Sequence, residues 1–136
     1  MHPAWLGEWR LNLARSTYDP GPPPYRRASY RIEPWRDGLK VVNDMVRERG
    51  GVVHVEWTGR FDGQDYPVQG VEEYVTYAYR RVDERAYDIV IKVDGRLTAV
   101  SHAALAPDGS AITTTTTGRD ARGAEVTTIT VYERVR

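Results

Sequence analysis

Aromatic side chains at every second position are the part of this sequence best suited to chemistry. Tyr77 alternates with Tyr79, Tyr30 with Ile32, and Trp57 with Val55 and Val53. On an extended chain that spacing sets the side chains on one face. Each Tyr or Trp offers a ring face and a polar tip, so a wall of them suits a flat apolar ligand with a few polar atoms. The same residues also fill cores and coat strands, since Tyr is favoured on any strand. A second set, Thr114, Thr116, Thr128 and Thr130, could turn its hydroxyls toward the same space as a polar wall, or face solvent as ordinary strand residues.

Histidine offers less. His54 stands two residues before Glu56, a spacing that can orient an imidazole for general-base work, though an exposed polar face gives the same pattern. His102 lies among Ala99, Ser101, Ala103 and Ala104, where small neighbours leave room for a ligand or a haem iron. A single His without a second ligand motif reads more simply as a satisfied or exposed side chain. There is no G-x-S-x-G elbow, phosphate-binding glycine loop, H-E-x-x-H or calcium loop. Neither a cofactor nor a metal is expected. Asp62-Gly63-Gln64-Asp65 reads as a turn, and Glu72-Glu73 and Asp83-Glu84 as solvated loop charges.

The elements that must position these residues are short and regularly punctuated. Asp37-Gly38, Gly50-Gly51, Asp62-Gly63, Asp94-Gly95, Asp108-Gly109 and Arg122-Gly123 cut residues 26–135 into strand-sized pieces. Trp5 to Ala14 alternates, with Trp9, Leu11 and Leu13 on one face. Strands are then expected over Tyr25–Ile32, Leu39–Val46, Val52–Phe61, Glu73–Val82, Tyr87–Val93, Arg96–Leu105, Ala111–Thr117 and Ala124–Val135, with a short Tyr66–Val68 piece. Gly70 marks a bend or bulge. Pro20-Gly21-Pro22-Pro23-Pro24 can be neither helix nor inner strand and reads as a stiff strap across an open end. No segment carries a helical period with caps. In the last strand, Tyr132 shares a face with Thr130 and Thr128, while apolarity alone favours the Ile129 face.

Composition bounds the rest. A chain of 136 residues, 40% hydrophobic with four Trp and nine Tyr, builds one domain over residues 1–136. Lys+Arg and Asp+Glu are both 19, so no basic face points to nucleic acid. Without cysteine there are no disulfides or thiolate metal sites. No apolar run is long enough for a membrane span. The start lacks a signal-peptide pattern, so a cytoplasmic location is the expectation, although a removed leader would leave no trace.

Leu6-Gly7-Glu8-Trp9-Arg10-Leu11 resembles the G-x-W opening of the lipocalin and fatty-acid-binding-protein group, the calycin barrels. Thr130-Val131-Tyr132-Glu133-Arg134 is similar to the final strand of fatty-acid-binding proteins. The stretch from Leu11 to Pro24, together with Phe61–Val68, resembles small bacterial lipocalin-like domains. The resemblance implies that Trp9 closes the barrel floor, with Arg134 or Arg136 stacked on it, and that Tyr132 points inward. Two features depart from the group. The proline strap stands where a helical lid is usual, and the carboxylate-binding Arg-x-Tyr reads Thr130-Val131-Tyr132, without its cation.

The expectation is therefore an all-β, single antiparallel up-and-down barrel of about eight to ten strands, lipocalin-like, with a proline-rich strap instead of a helical lid. Its expected activity is non-covalent binding or carriage of a small hydrophobic or aromatic ligand. The candidate ligand-binding residues are Trp9, Tyr30, Trp57, Tyr77, Tyr79, His102 and Tyr132. An enzyme that cyclises or isomerises a hydrophobic intermediate is the alternative, with His102, His54 and Tyr132 as its candidates. A third reading is a packed barrel whose outer face binds another protein. A homodimer stays open.

Overall fold

A computed structural model describes residues 1–120 and 122–135. Among them eleven strands form one antiparallel sheet: β1 (Gly7–Leu11), β2 (Thr17–Asp19), β3 (Tyr25–Trp35), β4 (Gly38–Arg47), β5 (Val52–Gly59), β6 (Tyr66–Pro67), β7 (Val75–Asp83), β8 (Ala86–Val93), β9 (Arg96–Leu105), β10 (Ala111–Arg119) and β11 (Glu125–Arg134). Ten of them follow one another around the wall in the order β5-β4-β3-β1-β11-β10-β9-β8-β7-β6. The first and last long strands are thus neighbours, with Trp9 opposite Arg134 and Leu11 opposite Tyr132. Short hairpins explain this order, because each turn returns the chain beside the strand it has just left.

The seam between β5 and β6 nearly closes the barrel. One pair does it: Glu56 and Gln69 exchange main-chain hydrogen bonds of 3.0 and 2.9 Å. Gly70 follows at φ +96°, and a Cβ there would collide with the His54 carbonyl. Only glycine both turns here and lets the chain lie this close to β5.

Residues 3–15 differ from a continuous first strand. β1 is five residues long and lies between two single 3-10 turns, Pro3–Trp5 and Leu13–Arg15. Asn12 ends it: its main-chain N–H donates to the Val131 carbonyl at 2.8 Å, and its side chain accepts from the Arg15 N–H. β2 then lies beside β11, and the proline segment leads from it to β3, with Pro20, Pro22 and Pro24 bordering a space that inward residues of β3, β4 and β11 also line. The Asp37-Gly38 turn is shifted by one residue. Arg36 takes the positive φ of +54°, while Gly38 pairs with Trp35 inside the hairpin. Gly38 is needed for packing instead, since a Cβ there would strike the Gly59 carbonyl.

The opposite end is shut by aromatic packing. Trp5, Trp9 and Tyr79 are fully buried. Trp5 lies 4.7 Å from Tyr87, and Phe61, Tyr79 and Tyr87 pack in a triangle with centroids 5.3–5.5 Å apart. The Arg134 guanidinium sits over the Trp9 ring at 4.3 Å, a cation–π contact. The other candidate for that contact, Arg136, lies outside the described residues.

Replacing Gly70 by Ala should cost about 1–3 kcal/mol, because the added Cβ meets backbone rather than a side chain that can move. Urea unfolding measures the loss. Hydrogen exchange at the Glu56 and Gln69 amides should accelerate beyond the global change if this pair closes the seam.

Candidate functional site

The two-residue pleat gives the barrel a clean inside and outside. Along β9, Ser101, Ala103 and Leu105 are buried, while His102 between them is exposed. Along β11 the inward set is Val126, Thr128, Thr130, Tyr132 and Arg134: Tyr132 is buried, and Thr128 and Thr130 border interior space. Apolarity misleads here because Val131, on the outer face of β11, is buried as well. The Val131 N–H donates to Ser16 Oγ at 3.0 Å, and Ile129 pairs with Thr17 of β2.

The aromatic floor does not fill the barrel. Above it lies a chamber of about 260 Å³. Tyr30, Trp57, Tyr77 and Tyr87 line one side, with Ile32 and Val41. Ser101, Ala103, Thr114, Thr116 and Thr130 line the other. The hollow has a physical origin: β9 and β10 contribute small side chains exactly where β3, β5 and β7 contribute rings. A second space of about 420 Å³ lies under the strap, bordered by Tyr18, Pro20, Pro22 and Pro24 and by Tyr132 and Thr128. Tyr30 and Thr130 border both spaces, so the two adjoin. At this boundary the Tyr30 and Tyr132 rings stack at 4.1 Å.

Polar groups inside are fixed by one another. Trp57 Nε1 donates to the Tyr79 hydroxyl. The Ser101 and Thr116 hydroxyls are 2.7 Å apart, and Asn43 on β4 donates to the Ser29 carbonyl at 2.9 Å. Burial raises the tyrosines: Tyr77 and Tyr132 to about 12, and Tyr30, Tyr79 and Tyr87 in the same direction. Phenols in an apolar enclosure resist ionisation because the phenolate loses its water. They act here as neutral hydrogen-bonding groups.

Three of the candidate residues, Tyr30, Trp57 and Tyr77, border the chamber, and Tyr132 borders the space under the strap. Trp9 and Tyr79 lie beneath them, Trp9 in the floor and Tyr79 behind Trp57. His102 is not brought to the cavity. It faces outward, half exposed, with Nδ1 2.6 Å from Asp88. The room seen among its small neighbours is real, but Ser101 and Ala103 face it. His54 is outside as well, with Nδ1 2.5 Å from Asp44 and Nε2 3.6 Å from Glu56. Tyr74 is exposed and precedes β7. The residues missed are Tyr87, Ile89 and Ile91, whose own alternation carries the signal, and Ser101, visible only once the face of β9 is known.

The fold is that of the calycin barrels. The chain is similar to the crystal structure of zebrafish ileal bile acid-binding protein complexed with cholic acid, with a TM-score of 0.59 over 97% of this chain and 99% of that one. Sequence identity is 10%, so the likeness is one of fold. No protein-family model matches the chain, and no curated protein matches it. No helix among the described residues is long and apolar enough to cross a membrane.

Outside the barrel, the Asp44 carboxylate holds the His54 imidazolium, chiefly by hydrogen bonding, and raises its pKa above the ordinary 6.5. Following the imidazole by NMR should show His54 titrating above that value. Asp44→Asn should lower the midpoint, and an unchanged midpoint would break the pairing.

Proposed function

We propose that this barrel binds a small hydrophobic or aromatic molecule in its interior without reacting with it. The observation that carries the reading is the hollow chamber with a one-sided aromatic wall, adjoining a second space under the strap. Tyr30, Trp57 and Tyr77 form the contact wall in this reading, Tyr132 borders the way in, and Trp9 and Tyr79 hold the base. Burying roughly 300 Å² of apolar ligand surface at about 25 cal/mol per Å² contributes about 7 kcal/mol before ordering costs. That gross figure alone corresponds to a Kd on the order of 10 µM, and the ordering costs make the binding of a two-ring molecule weaker than this. The similar zebrafish structure is by name a bile acid-binding protein, which supports a carrier reading for this fold.

The enzyme alternative draws less support. Two of its candidate proton carriers, His54 and His102, lie on the outer surface. Tyr132 remains, held in its neutral form by burial.

Quenching of Trp57 fluorescence by neutral aromatic probes tests the reading. Thr114→Phe places a ring in the chamber and should weaken binding at least about tenfold while the barrel stays folded by circular dichroism. Thr114→Leu is the milder variant should Phe prevent folding. Binding by the wild-type chain should be level from about pH 5 to about pH 9, because its lining tyrosines titrate higher and its histidines lie outside. Wild-type protein that binds no probe, or a Thr114→Phe chain that binds as well, would refute the reading.

A further inference from the structure

The chamber carries hydroxyls on both sides, from Tyr30, Tyr77 and Tyr87 and from Ser101, Thr114, Thr116 and Thr130, and no charged side chain among the described residues that line it. Thr114 and Thr130 stand opposite each other across β10 and β11, and both border it. Ser101 and Thr116 satisfy each other, but Thr114 and Thr130 have no hydrogen-bond partner among the described residues. No Asp, Glu, Lys, Arg or His is among the described residues that line the chamber or the space under the strap. A third space, of about 700 Å³, adjoins both, sharing Trp57 and Tyr77 with the chamber and Asn43 and Met45 with the space under the strap. Arg47 borders it, but beside Glu72 and Glu73 and not in the chamber itself.

The Thr114 and Thr130 hydroxyls face accessible space and are not buried unsatisfied groups. A wholly apolar guest that covers them takes their water and returns no hydrogen bond, so a guest carrying a donor or acceptor gains over it. A carboxylate drawn into the same space loses its water and finds no cation. Tyr30 and Trp57 on the far wall favour a flat ring between the two sides.

Building on the carrier reading, we propose that the chamber selects uncharged ring compounds bearing a hydroxyl or carbonyl group. That group meets the Thr114–Thr130 pair, and carboxylates of the same skeleton are rejected.

Calorimetric titration at neutral pH with 2-naphthol, naphthalene and 2-naphthoate tests this. 2-Naphthol should bind about five- to tenfold more tightly than naphthalene and at least about tenfold more tightly than 2-naphthoate. In a Thr114→Val, Thr130→Val chain the preference of naphthol over naphthalene should disappear. Thr114→Val alone, which should halve the preference or more, replaces it if the double variant does not fold. Equal binding of naphthol and naphthoate overturns the proposal, and so does a naphthol preference that survives the valines; in both cases the carrier reading stands. If none of the three compounds binds, the carrier reading falls and this proposal falls with it.

Discussion

Arg134 joins the two ends of the fold. Its guanidinium covers Trp9, and its nitrogens donate to main-chain carbonyls of Ala4, Leu6 and Gly109. One side chain near the end of β11 thereby fixes the N-terminal turn, the start of β1 and the β9–β10 loop. Trp9 in turn donates to the Trp5 carbonyl at 3.2 Å, and Trp5 to the Glu84 carbonyl at 3.0 Å. The β7–β8 turn joins the same knot. A flat, permanently charged group suits this place, because it stacks on a ring and serves several acceptors at once.

A floor anchored in this way keeps the large aromatic volume at one end. Trp5, Trp9, Phe61, Tyr79 and Tyr87 pack there, so the middle of the barrel has to be filled by what remains. On the β9–β10 side what remains is Ser101, Ala103, Thr114 and Thr116, too small to reach the rings opposite. The hollow is thus a consequence of where bulk has been placed, and its character follows from the same residues. Rings on one side, hydroxyls on the other and no charged side chain among the described residues lining the chamber are the features on which a neutral, partly polar guest is proposed. The proline segment adds a second space that adjoins the chamber.

Much of this was legible in the sequence, and the misses have definite causes. Alternation and turn pairs were enough for an antiparallel barrel, and the G-x-W opening pointed to the floor role of Trp9. The facing of His102 was harder. Small residues on both sides of it suggest space, but neighbours one position away belong to the other face of a strand, so the space went to Ser101 and Ala103. β11 was ambiguous because residues on both its faces are sheltered, Tyr132 on the inner and Val131 on the outer. β2 itself pairs only through three residues and precedes a proline run, a pattern with no distinctive local signal. Glycines were read as turn formers, whereas Gly38 serves close backbone packing, which depends on a partner far along the chain.

The central claim is that the space above the Trp9 floor is open to a guest. A crystal structure of the purified protein soaked with a neutral two-ring phenol tests it most directly. The account predicts density for the ring between Tyr30 and Trp57 on one side and Ala103 on the other, with its hydroxyl within hydrogen-bond distance of Thr114 or Thr130. Lining side chains packed across the space, leaving no room for the compound, would contradict it.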